Sequence, residues 1–289
     1  MNQTRPWFRI GSLIVGLAFL YIPIVSLVVF SFNKSRLVTV WGGFSTKWYG
    51  ELMRNDQILN AAWLSLKIGA LSATLAVVLG TIAGLVLARF GPFKGRTLLS
   101  GMTTAPLVMP EVITGLSLLL LFVTMEQLIG WPAGRGMTTI VISHITLTMA
   151  YVTVIVQSRL ASMDDSLEEA AQDLGARPAK VFFVITLPII LPALLSGWLL
   201  AFTLSLDDLV ITSFVAGPGS STLPMVVFSK VRLGVSPDIN ALATIFVTIV
   251  SIGVAVAGYL MARQQKIRES DVQMALAANQ ELVENLKRT

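Results

Sequence analysis

Three carboxylates stand inside otherwise apolar runs. Asp207 and Asp208 lie within AFTLSLDDLVITSF, and Glu111 follows Pro110 within APLVMPEVITG. In hydrocarbon each would cost about 2.5–3.5 kcal/mol on insertion scales, so they must face protein, another subunit or water. Carboxylates only accept hydrogen bonds, so together they suit ammonium groups, Na⁺ or protons. Neighbouring side chains on a helix point about 100° apart. Asp207 and Asp208 therefore take different directions, one toward a cation route and the other toward a helix–helix hydrogen bond. Service of both as packing ties is the structural alternative. Pro106 and Pro110 interrupt the backbone ladder just before Glu111, and irregular backbone at membrane depth is tolerated where it lines a cavity. His144, the single histidine, reads as a hydrogen-bond donor between helices rather than a proton relay.

Other chemistries are excluded. With no cysteine and one histidine, thiolate chemistry, a His-based metal site and a Ser-His-Asp triad all lack their parts. No metal ligands are assigned. The nearest approach to a phosphate-binding loop, GPFKGRTLLS from Gly91, lacks both the glycine spacing and the Gly-Lys-Ser/Thr ending. The net charge of +5 comes without a basic run interleaved with aromatics, so nucleic acid is not the partner.

The elements that must position these residues are membrane helices. Of 289 residues, 54% are hydrophobic and 13% charged, and mean hydropathy is +0.76. A soluble domain carries about a quarter charged residues. Apolar runs long enough to cross a bilayer predict six spans at about 10–32, 61–88, 98–124, 137–157, 189–215 and 238–262. The first is too long for a signal-peptide core and has no cleavage site after it, so it reads as a retained anchor. Lysines and arginines favour the segments that share a side with both termini, which predicts cytoplasmic termini and a cytoplasmic loop 158–188. Trp41, Phe44, Trp48 and Tyr49 in the outer loop read as an aromatic belt. Residues 222–233, between Pro218-Gly219 and Pro237, predict a short surface or re-entrant helix fit to act as a gate. The tail 263–289 reads as a solvated helix.

One polar island separates the apolar runs: EEAAQDLGARPAKVFFVITLP, from Glu168 to Pro188. Its Glu169-Ala170-Ala171, Gly175, Ile185 and Leu187-Pro188 match the spacing of the EAA loop of ABC-importer permeases. Small Ala170 and Ala171 permit close approach of a partner, and Gly175 permits a turn. The runs Ser196–Thr244, Ala105–Phe122 and Leu37–Leu52 resemble polyamine-importer permeases of the putrescine and spermidine type. The resemblance covers nearly the whole chain, least clearly after about Arg268.

That resemblance implies an all-α, polytopic protein of the bacterial inner membrane with the type I ABC-importer permease fold. Residues 1–262 would form the transmembrane domain and 263–289 a cytoplasmic tail. It implies no catalysis and no cofactor on this chain, with ATP and Mg²⁺ used by a separate ATPase dimer. The other implied partners are a second permease and a periplasmic polyamine-binding protein. Glu169, Ala170, Ala171 and Gly175 take the ATPase-coupling role. Asp207, Asp208 and Glu111 become pathway contacts for polyamine amines, with Trp198 and Phe202 as aromatic partners through cation–π contact. Two rival readings remain at this level: an ABC permease for another small solute such as an amino acid, and an ion-coupled secondary carrier acting alone.

Overall fold

The computed structural model describes residues 6–37, 40–234 and 237–253, together with residues 255, 256, 259 and 263. The described secondary structure is helical apart from one isolated bridge between Asn33 and Phe44. The chain divides into two compact units, Asn55–Gly234 and a second made of Met1–Arg54 with Val235–Thr289.

The larger unit begins with α3 (Asp56–Arg89), since α1 (Pro6–Phe30) and α2 (Lys47–Leu52) belong to the other unit. It continues with α4 (Arg96–Val108), α5 (Glu111–Ile129), α6 (Met137–Ala161), α7 (Ser166–Asp173), α8 (Pro178–Val181), α9 (Leu187–Asp207), α10 (Val210–Val215) and α11 (Leu223–Leu233). A π-helical turn, Phe182–Thr186, joins α8 to α9, so helix runs unbroken from Pro178 to Asp207. Asn55 starts α3 by accepting the Ile58 N–H at 3.2 Å, a side-chain cap.

Small residues decide how α3 and α6 pack. Gly80 and Gly84 share a face of α3, and Val152 and Val156 share the facing side of α6. A Cβ on Gly80 would fall 2.8 Å from the Val152 Cβ and 3.1 Å from the Met149 carbonyl oxygen. The two backbones therefore approach as closely as the small-residue packing of membrane helices allows. Helix α9 completes this core, in which Ala73, Ala76, Val152, Val156, Leu160, Ile190, Leu194 and Ala201 are buried together. A second cluster of Ile68, Phe122, Ile140, Ile211 and Val215 joins α3, α5, α6 and α10.

In the other unit, the loop after α1 is wound around Asn33. Its side chain accepts from Gly42 N at 2.8 Å and donates to the Val40 carbonyl at 2.7 Å. Trp48, expected in an aromatic belt, is instead buried and donates from its indole to the Asn33 carbonyl at 2.6 Å. This unit also holds α12 (Pro237–Gly253).

Among the described residues, five helical stretches are long and apolar enough to cross a membrane, and α12 is a shorter apolar helix. The expected span 98–124 is two helices, because Met109 and Pro110 are extended (ψ 134° and 133°). The expected span 189–215 starts earlier, at Pro178, and breaks at Asp208 (ψ 120°). Pro188, read as closing the polar island, lies inside this continuous helix, directly after the π-helical turn, where it removes one backbone donor from the ladder. The helix expected over 222–233 is α11. Beyond residue 263 the tail lies outside the described residues.

Candidate functional site

The chain breaks twice at the acids. The second break is made by Asp208 itself. Its side chain turns onto the start of α10, where Oδ1 accepts Ile211 N at 3.2 Å and Oδ2 accepts Thr212 N at 2.7 Å and the Thr212 hydroxyl at 2.6 Å. His144 reaches across from α6. Its Nδ1 lies 2.6 Å from Ser205 Oγ, and its Nε2 lies 3.0 Å from Thr212 Oγ1 and 3.2 Å from Asp208 Oδ2. A neutral imidazole protonated on Nε2 satisfies every partner, with the Ser205 hydroxyl donating to Nδ1; this tautomer is assigned from the network. Ser205, Asp208, Thr212 and His144 are all buried. Asp208 is thus a helix–helix tie and a helix cap, and Asp207 is exposed on the chain taken alone.

The break leaves an asymmetric field. The last turn of α9 ends with carbonyl oxygens that lack intrahelical partners, the negative end of the helix dipole. The matching positive end, at the start of α10, is covered by the Asp208 carboxylate. Asp207 adds a further negative group to the uncovered end.

Glu111 opens α5 at the other break and is also exposed. Helices α5 and α10 run in the same direction. The loop after α5 brings Arg135 to the far end of α10, where its guanidinium donates to the Phe214 carbonyl at 3.4 Å, and Thr139 donates to the Val215 carbonyl at 2.7 Å. The two helices touch at Gly115, where a Cβ would lie 3.3 Å from Ile211 Cα. Glu111 precedes Gly115 by one turn of α5, whereas Asp207 ends α9 and is separated from Ile211 by the extended Asp208. Each of the two exposed acids thus stands at a break.

Trp198 and Phe202 stack on each other at 5.1 Å, and Trp198 donates to Thr74 Oγ1 of α3 at 3.1 Å. Phe202 covers Gly69. Nine residues of helix rotate Asp207 about half a turn from Trp198. The structure therefore gathers the aromatic pair into the α3–α9 contact, on the face of α9 away from Asp207.

At the polar island, α7 carries Glu168, Glu169, Ala170 and Ala171. Gly175 takes φ +83°, a left-handed conformation that favours glycine. Ala176 N donates to the Ala171 carbonyl at 3.0 Å and Gly175 N to the Gln172 carbonyl at 2.8 Å. This pair of bonds is the Schellman ending, and it turns the chain into α8. No residue of α7 is buried. Leu167, Ala170 and Leu174 are exposed along one face, and Glu169 is exposed as well. Glu168 points the other way, accepting from the Thr186 hydroxyl at 2.7 Å and lying 3.2 Å from Arg89 Nε. Before α7, the Asp164 carboxyl is held below its ordinary range by the Ser166 backbone N–H and hydroxyl. Sequence spacing singled out neither His144 with Asp208 nor Arg89 with Glu168, because these partners are far apart along the chain.

Residues 76–268 match the model of the family described as binding-protein-dependent transport system inner membrane component. The chain belongs to that family. It is 62% identical over 270 residues to the putrescine transport system permease protein PotI of Escherichia coli (strain K12), covering 93% of this chain and 96% of that one. It is 42% identical over 257 residues to the spermidine/putrescine transport system permease protein PotC of the same strain, covering 89% and 94%. Among solved structures, it resembles a chain of a bacterial ABC transporter involved in the import of the acidic polysaccharide alginate. The TM-score there is 0.67 at 20% identity, over 89% of this chain and 94% of that one. It also resembles a chain of the MetNI methionine ABC transporter, with TM-score 0.56 at 18% identity, over 76% and 98%. This inner membrane component is thus an all-α, membrane-embedded permease with the type I ABC permease fold, a transport subunit and not a catalytic one.

Proposed function

We propose that this permease works in an ATP-driven importer of polyamines, with putrescine as the foremost cargo. The observation that carries the reading is the 62% identity to a putrescine permease over 93% of the chain. The second break supports it chemically. Asp208 neutralises the start of α10, and Asp207 stands at the negative end of α9. That field suits a cation and repels an anion. Putrescine extends its two ammonium groups about 6–7 Å apart, so it can address two separate acids. Asp207 and Glu111 are the pathway contacts in this reading. Asp208 shapes the break, and Trp198 and Phe202 support it through packing.

The remaining parts follow from the family. A second permease completes the cavity, a periplasmic polyamine-binding protein delivers the cargo, and an ATPase dimer consumes ATP with Mg²⁺. The termini and α7 face the cytoplasm, where Glu169, Ala170, Ala171 and the turn at Gly175 dock the ATPase. Closure of the ATPase dimer draws the α7 segments together and turns the cavity outward, and hydrolysis resets it. The test is uptake of labelled putrescine by the reconstituted complex. ATP-dependent uptake that requires the binding protein and is competed by diamines is expected. Uptake by this chain alone on an ion gradient, or competition only by amino acids, would overturn the reading.

A further inference from the structure

A helix with no buried residue has to be attached to the bundle by something other than apolar packing. For α7 the attachment is Arg89, the last residue of α3. Its guanidinium forms an ion pair through Nη1 with Asp165, immediately before α7, and stands 3.2 Å through Nε from Glu168 within α7. The side chains of Arg89 and Glu168 are 17% and 15% exposed, so this pair is screened far less than a surface one. The other oxygen of Glu168 accepts the Thr186 hydroxyl at 2.7 Å from the π-helical turn. One carboxylate thereby joins α7 to two long helices, α3 and the Pro178–Asp207 rod. On the α3 side this contact leads into the core, where Gly80 and Gly84 bring α3 directly against α6.

We propose that Arg89 is a positioning residue for ATP-driven transport: it grips α7 through Asp165 and Glu168 and delivers the movement of that helix to α3. The proposal rests on the reading that α7 docks the ATPase. Without the grip, α7 would still present Leu167, Ala170 and Leu174 to the ATPase, but its movement would reach the bundle only through the chain that flanks it, α6 before and the rod after, and not directly through α3. Docking and coupling therefore separate, which a merely structural role would not produce.

The test uses the complete reconstituted complex and reads putrescine transported per ATP hydrolysed. Arg89→Gln is expected to co-purify with the ATPase at the wild-type level. Its transport per ATP should fall at least about tenfold, the factor that one lost charge-assisted contact supports. Arg89→Lys, which keeps one ionic contact, should recover part of the loss. Wild-type transport per ATP in an assembled Arg89→Gln complex would overturn the proposal. Should Arg89→Gln fail to assemble, Glu168→Gln, which removes the charge that faces Arg89 within α7, decides. A lowered ratio there supports the grip, and a wild-type ratio overturns it. A wild-type complex whose ATP hydrolysis ignores putrescine and the binding protein would sink the docking reading instead.

Discussion

Two isosteric substitutions one residue apart, Asp207→Asn and Asp208→Asn, should fail in opposite ways. Asp208 accepts from Ile211 N at 3.2 Å and Thr212 N at 2.7 Å. An asparagine offers only one acceptor oxygen, so whichever way the amide turns, one buried backbone N–H loses its partner. An unsatisfied buried donor costs about 1–3 kcal/mol, and the lost interhelical bond to His144 adds about 0.6 kcal/mol, the average for such bonds in membranes. Asp208→Asn should therefore lower the melting temperature of the purified complex clearly. Asp207 is exposed and its removal should change stability within about 0.5 kcal/mol. Its cost appears with cargo. A hydrogen bond to a charged group contributes about 1.5–3 kcal/mol, equivalent to about a 10- to 100-fold rise in KM for putrescine. Thermal unfolding of the complex and uptake kinetics in proteoliposomes separate the two. An Asp207→Asn complex with wild-type KM, or an Asp208→Asn complex with raised KM and unchanged melting, would refute the division of labour.

Further outcomes follow from the packing and the turns. Gly80→Leu should lower yield and melting temperature by overpacking worth about 1–3 kcal/mol, while Gly101→Ala, with nothing within 4 Å of its added Cβ, should leave both unchanged. Gly175→Val forces a β-branched residue to φ +83° at about 1–2 kcal/mol or more. ATPase co-purification should drop about tenfold, read by quantitative pull-down. His144→Ala combined with Asp208→Asn should cost less than the sum of the two alone, because both remove the same bond; additive melting shifts would count against the network.

Much of this architecture could be read from residue order. The apolar runs predicted the spans, and the glycine after the alanine pair predicted the chain reversal at Gly175. Pro110 marked the first break, since proline removes a donor. The second break had no such mark. Neither proline nor glycine stands at residues 207–209, and the interruption comes from a carboxylate that outcompetes the helix for its own N–H groups. The early start of the fifth span was hidden because the polar residues around Lys180 interrupt the hydropathy without interrupting the helix. The partners of Arg89 and His144 were hidden for a different reason. Long-range polar contacts depend on which faces meet, and local periodicity carries no record of that.

The unbroken helix from Pro178 to Asp207 has 30 residues, which is about 45 Å of rise, against a hydrocarbon core of about 30 Å. One end stands at the chain reversal and the other at the break. The separation between the chain reversal at Gly175 and the break at Asp208 is therefore set by a counted run of helix. A thicker or thinner bilayer can change the tilt of this rod, but not its span. The protein carries its own ruler, and the distance from reversal to break follows from counted residues, with lipid thickness adjusting around it.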